Sequence, residues 1–302
     1  APSDREALHK KQIAASNLLA PHSRLVQFMM SHFSATRLCS PHVQKAFVRL
    51  LHVTLDGLQK HATNHPLARE VRFQIILFSA RVLRYGTALT AVGQWRLKTQ
   101  VLNAALSWFA FPPQFSFGGN RLQLKAETRL LSDVATALKS VEFIAPKNPA
   151  SAKRLRDKEE LLVALLENEQ SRLRVWLHPL RDVPDPLVIN VQVAEPSDIV
   201  ALRLVNTAWE LDASLAIQLT ARFKNVKLHL AVRQCLLTHP EKALNEKAAL
   251  DVMINGGLPR DVDWQLKYLL YWAPVDPISA VTYFLPQYGN NPLITQYAMR
   301  AL

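Results

Sequence analysis

Glycine is scarce in this chain, with 8 residues in 302 against 18 prolines. That ratio excludes a β-rich protein built on many tight turns, because such turns consume glycine at positions of positive φ. Cysteine is scarcer still. Cys39 and Cys235 are far apart, each in an amphipathic helical context, and read as buried free thiols of an intracellular protein rather than a disulfide framework. Long hydrophobic runs are missing: nothing approaches the roughly 18 to 20 apolar residues of a membrane-spanning helix. The first twenty residues lack the apolar core of a signal peptide, and the chain opens on Ala1 rather than Met, which suggests an internal piece of a larger protein.

What is present is apolar periodicity punctuated by proline. About half the residues are hydrophobic, enough to bury a core across two ordinary domains or one elongated repeat array. Residues 1–37 hold two modest helical patterns split by Pro21, the second with Leu25, Phe28, Met29 and Phe33 as its expected buried stripe. Ser40 then caps and Pro41 opens a helix with Val43, Phe47, Leu50, Leu51, Leu55 and Leu58 inward. Pro66 opens another, lined by Leu67, Val71, Ile75, Phe78 and Val82 and thickened by Phe73, Ile76, Leu77 and Leu83 into a helix buried on more than one side. Trp95 to Phe111 follows with Val101, Leu102, Ala105, Leu106 and Phe109 inward, stopped by Pro112 and Pro113. The connection from Phe111 to Asn120 reads as an aromatic plug, and a helix from Asn120 to Val141 carries Leu131, Val134, Leu138 and Val141.

Residues 145–156, with two prolines and four basic residues, are the expected domain boundary. Asp157 and Glu160 have capping-box spacing, with Leu162, Leu165, Leu166, Leu173, Trp176 and Leu177 following on one face. The alternating Leu187, Ile189, Val191 and Val193 suggest an extended connector or lone strand. Helices resume at about 198–206, 207–223 and 226–237. Another opens near Thr238 and Pro240 and closes at Gly256 and Gly257. In the last stretch Asp276–Pro277 and Asn291–Pro292 mark two helix starts. Three short helices are expected there: Trp264, Tyr268, Tyr271 and Trp272 on one face of the first, with Leu266, Leu269 and Leu270 burying its other side; Ile278, Val281 and Leu285 inward on the second; Ile294, Tyr297, Ala298 and Ala301 on the third. Helix starts near 41, 66, 94 and 120 give pairs of roughly 50 residues, nearest the HEAT or armadillo class, without tetratricopeptide or ankyrin signatures. The fold expected is all-α, an α-solenoid over 1–150 followed by a helical domain over 157–302.

Charge is uneven. Residues 1–156 carry 22 Lys and Arg against 7 Asp and Glu, a net +15, and residues 157–302 carry 14 against 17, a net −3. The basic half could face an anionic membrane or an acidic partner, although its charges are scattered over several helices as in an ordinary solvated face. A nucleic-acid solenoid ranks last, lacking exposed aromatics interleaved with basic residues. No catalytic, cofactor-binding or metal residues are assigned. Gly118-Gly119-Asn120 ahead of a helix reads as helix entry rather than phosphate binding. His61 and His65 are four apart without a third ligand, and His178 is a helix-terminus residue. The aromatics from Trp264 to Trp272 read as core packing rather than a ligand cage.

The run YWAPVDPISAVTYFLPQYGNNPLITQYAMRAL, from Tyr271 to Leu302, closely resembles the accessory helical (PIK) domain of type III alpha phosphatidylinositol 4-kinases. The segments VRFQIILFSARVLR (Val71 to Arg84) and FPPQFSFGGN with the following RLQLKAE, together with Trp108, resemble the solenoid of the same family. The resemblance implies the end of an α-solenoid followed by a PIK-type domain truncated before a lipid kinase domain. ATP and magnesium are then implied for the parent kinase alone, since the phosphate-cradling loop and metal-binding motifs of phosphoryl transfer do not occur in these residues. It also implies a cytoplasmic protein peripheral at the plasma membrane, dimeric, with helical scaffold proteins and a membrane anchor as partners. The alternative is a free-standing helical-repeat adaptor binding anionic membrane or acidic partners through the basic half.

Overall fold

The computed structural model describes residues 20–38, 40–87, 89–114, 121–140, 148–177 and 195–302. All regular elements among them are helical. Cys39, His178, the Gly118-Gly119-Asn120 turn, most of the aromatic connection and the alternating 187–193 stretch lie outside the described residues. The chain divides into two compact units, Ala1–Ala194 and Glu195–Leu302.

The first unit holds α1 (20–36), α2 (Pro41–Lys60), α3 (Arg69–Tyr85), α4 (Ala91–Phe109), α5 (Arg121–Lys139) and α6 (Pro149–Leu177). Local chemistry sets the ends. The Ser40 hydroxyl accepts the Val43 N–H with Pro41 at the first turn, and the Thr90 hydroxyl accepts the Gly93 N–H ahead of α4. Glycine is required at 86, where a Cβ would stand 2.5 Å from the Val82 carbonyl oxygen.

Helices packed two apart in sequence build two layers. In one, α3 packs on α5, and α1 joins through Ser23, whose hydroxyl donates to Glu70 and Gln74, and through Phe33 against Phe78. In the other, α2 packs on α4 and α4 on α6. The pairs α3–α4 and α5–α6 close each repeat, and polar links between successive layer neighbours span 43 to 58 residues, as in Gln44 to Thr87, Asn64 to Pro112 and Arg69 to Glu127. This is the geometry of a helical solenoid, with the repeat of roughly 50 residues that the helix starts indicate.

The layers are pinned by buried charge. Arg69 is 1% exposed and bonds Glu127 of α5 at 2.7 Å and Glu169 of α6 at 3.0 Å, with its guanidinium over the Trp108 ring at 5.6 Å. Arg72 donates to the carbonyls of Leu58 and His61 at the C-terminus of α2, and burial lowers its pKa to about 10. Lys98 of α4 bonds Glu159 of α6 at 2.7 Å.

Two expectations change here. The boundary at 145–156 gives way to the start of α6: Pro149 sits in its first turn, Ala152 and Leu155 bury, and Asp157 and Glu160 stand inside the helix rather than capping it. Ala152, Leu155 and Leu162 are buried on a helix that packs on α5, so α5 and α6 belong to one unit, and the compact units part after Ala194. In α1, Val26 and Phe33 bury while Leu25 and Phe28 face out, and Leu50 of α2 is likewise exposed. The wide buried face of α3 and the inward stripes of α4 and α5 stand as read, Val141 lying outside the described residues.

The second unit begins with α7 (Asp198–Leu211) and α8 (Ala213–Thr220), joined at Asp212, whose carboxylate accepts the Ser214 N–H. Helix α9 (Val226–Thr238) packs on both. Its cap Asn225 accepts the Leu228 N–H and donates back to the Pro196 carbonyl and Asp198. A 3-10 turn Pro240–Ala243, α10 (Ala249–Ile254), a 3-10 segment Gln265–Leu270, α11 (Pro277–Thr282) and α12 (Pro292–Met299) complete it. Polar links here span about half the separation seen in the first unit, as in Gln218 to Glu246, 28 residues, and Lys247 to Asp276, 29. Thr238 closes α9, and the turn after α10 places Asn255 and Gly256 at φ 48° and 79°, where glycine is unstrained and asparagine tolerated.

Candidate interaction surface

The last forty residues are organised around Trp272. Its indole is fully buried and its Nε1 donates to the Pro240 carbonyl at 3.1 Å. The Tyr297 hydroxyl donates to the neighbouring Ala273 carbonyl at 2.7 Å, and the Arg300 guanidinium donates to the carbonyls of Leu269, Leu270 and Trp272. Those carbonyls end the 3-10 segment, so one cation satisfies its orphan acceptors. Asn291 caps α12 through the Leu293 and Ile294 N–H groups, placing Ile294, Tyr297 and Ala298 inward as expected. The Tyr283 hydroxyl donates to Asp251 at 2.6 Å. Burial pushes Tyr297 up to about 12 and, reinforced by the Asp251 hydrogen bond, Tyr283 well above the ordinary phenol range. Both remain neutral donors at physiological pH and serve to position the chain.

Anchoring through Trp272 turns its neighbours outward. The segment expected to bury all round is a 3-10 helix that buries Leu266 and Leu269, three apart as that period demands, while Trp264, Leu270 and Tyr271 face solvent. The second expected stripe is inverted. Helix α11 buries Ala280, with Tyr283 just beyond it, and exposes Ile278 (87%) and Val281 on the opposite face, and Leu285, after the helix ends, is exposed too. Asp276 leaves its expected capping role for an ion pair with Lys247 at 2.7 Å. The result is a ledge of large apolar side chains held outward by a hydrogen-bonded frame. The sequence carried only a partial signal for it: α11 has apolar residues on both faces, and a six-residue helix does not state which face goes in.

The other candidates are engaged locally. His61 ends α2 and its carbonyl accepts from Arg72, and the His65 ring accepts the Leu67 N–H. A shallow groove beside Asn255–Asp261 holds Arg233, already committed to both carboxylate oxygens of Asp261 and to the Met253 carbonyl. Among the described residues no helix is long and apolar enough to cross a membrane.

No protein-family model matches the chain. It is 27% identical to phosphatidylinositol 4-kinase STT4 of Saccharomyces cerevisiae over 302 residues, all of this chain and 15% of that protein. Over its full length it is also 23% identical to phosphatidylinositol 4-kinase stt4 of Schizosaccharomyces pombe, of which it covers 16%. Over 94% of its length it is 21% identical to phosphatidylinositol 4-kinase alpha 1 of Arabidopsis thaliana, again covering 15%. From end to end, then, the chain is homologous to one segment, about 15% of the length, of phosphatidylinositol 4-kinases of the type III alpha group.

Proposed function

We infer that this segment is a non-catalytic helical support within a phosphatidylinositol 4-kinase. The parent protein would transfer the γ-phosphate of ATP, with magnesium, to the 4-hydroxyl of phosphatidylinositol at the plasma membrane, in a dimeric complex with helical scaffold proteins and a membrane anchor. The second unit would carry the catalytic domain on its apolar ledge. The observation that supports this reading is the pairing of full-length homology with a rigidly framed ledge, Tyr271, Ile278, Val281 and Leu285, that the segment leaves open to solvent. An apolar surface of this kind marks an interface.

In the full-length kinase, Ile278→Asp combined with Val281→Asp should lower lipid kinase activity at least about tenfold, the loss of roughly 1.4 kcal/mol at the interface. The same pair should leave the melting temperature of the isolated 302-residue chain unchanged, because both side chains are exposed. Unchanged activity would remove the ledge from the catalytic assembly. Formation of phosphatidylinositol 4-phosphate by the purified segment would overturn the non-catalytic role.

One observation favours the adaptor alternative. The first unit carries 26 Lys and Arg against 14 Asp and Glu, and the second carries 10 of each. Arg121, Lys125 and Arg129 form an exposed row along α5 at intervals of four. Cosedimentation with liposomes containing phosphatidylserine, weakening as salt rises, would support it, and indifference to lipid charge would exclude it.

A further inference from the structure

The corner where α3 turns into α4 gathers cations without a counter-charge. The Tyr85 ring, 41% exposed at the end of α3, lies 5.1 Å from the Arg37 guanidinium and 5.2 Å from that of Arg84, so one ring holds two positive groups close together. Among the described residues neither has an ion pair: Arg84 donates to the Ser140 hydroxyl, and Arg37 has the ring as its electrostatic partner. Thr87 stands at the same corner, exposed in the link between the helices. Its N–H donates to Gln44 Oε1 at 3.0 Å, and its hydroxyl accepts from Gln44 Nε2 at 3.1 Å, the nitrogen that also bonds the Arg37 carbonyl. Arg37, 50 residues earlier in sequence, is thereby brought to a hydroxyl that follows Arg84 by three positions. Arginine at that interval is a charge pattern by which protein kinases choose substrates. Ser40, Thr99 and Ser132 share it, but Ser40 is half-buried and caps α2, and Thr99 and Ser132 lie inside α4 and α5.

We propose that Thr87 is a phosphorylation site whose phosphate is received by Arg37 and Arg84. A protein kinase that selects arginine three residues before its acceptor transfers the terminal phosphoryl group of ATP. The bond from phosphorus to the ADP oxygen breaks, the bond to Thr87 Oγ1 forms, and the hydroxyl proton passes to that enzyme's base. The product carries nearly two negative charges and three acceptor oxygens. The C-terminal carbonyls of α3 would repel such a group, and the two guanidiniums outweigh them through charge-assisted hydrogen bonds. The phosphate then ties the turn at Arg37, between α1 and α2, to the end of α3. The inference stands on this corner alone and is independent of the parent kinase assignment.

Incubation of the folded 302-residue chain with ATP and such a kinase, followed by phosphopeptide mass spectrometry and phosphorus NMR, tests it. Phosphate on Thr87 is expected, and a chain left unmodified there overturns the proposal. Beside two guanidiniums the second ionisation of the phosphate, ordinarily near about pH 6, should fall by at least about half a pH unit in the folded chain relative to the same chain unfolded in urea. An unshifted phosphate would show that the arginines do not receive it. Arg37→Gln leaves residues 81–90 intact for the kinase, so modification should continue within about twofold of the native rate while roughly half of the shift is lost. A shift unaltered by Arg37→Gln would overturn the assignment of Arg37. The comparison of folded with unfolded chain needs no substitution, so it decides the question even if the variant is unstable.

Discussion

Arg69 joins two buried carboxylates from helices that lie 58 and 100 residues further along the chain. Nothing local marks it: in sequence it is one of many basic residues, and only the meeting of α3, α5 and α6 makes it a keystone. Arg69→Met would leave Glu127 and Glu169 buried without their cation, at a cost of about 3–5 kcal/mol. Chemical denaturation of the 302-residue chain measures it, and a change below about 1 kcal/mol would show the network to be dispensable. Glu246 makes a different prediction. Burial raises its pKa above 4.5, opposed by hydrogen bonds from the Ala248 N–H, Ser214 and Gln218, while Asp212 adds to the rise. The folded state thus holds this proton more tightly than the unfolded state, so the group's contribution is intact below the ordinary carboxylate value and is lost as pH rises through the raised one. Glu246→Gln removes that titration. The melting temperature of the variant relative to the native chain should therefore increase between about pH 4 and pH 7, and a pH-independent difference would refute the assignment.

Among the elements, the final segment separates residues that look equivalent in sequence. Tyr271 and Trp272 are adjacent aromatics in one apolar run, yet one is 74% exposed and the other fully buried. Trp272→Ala should cost about 3–5 kcal/mol in the second unit, and Tyr271→Ala less than about 0.5 kcal/mol. Thermal unfolding of both variants decides between this arrangement and a helix buried on all sides, which would make the two costs alike. Asn291, by contrast, was legible: a short polar side chain before proline and an apolar run caps α12 as its chemistry requires. Asp276 has the same local signature but is drawn to Lys247, a residue 29 positions away that local reading could not bring near.

For the chain as a unit, the position of the division has an experimental consequence. A fragment ending at residue 150 would strip α6 from α5 and expose Leu131, Val134 and Leu138, whereas one ending at Ala194 keeps the pair intact. The longer fragment should be soluble and melt cooperatively, and the shorter should aggregate. Equal behaviour would restore the boundary at 145–156. Helix content, most helix starts and the repeat near fifty residues follow from periodicity and proline placement alone, because capping and backbone sterics act within a few residues of each position. Which side of an amphipathic helix is buried, where one unit ends, and which charges pair are set by contacts between residues 28 to 100 positions apart. Where a helix has apolar residues on two faces, as α1 and α11 do, its neighbours choose between them, and the unchosen face becomes the surface available to a partner.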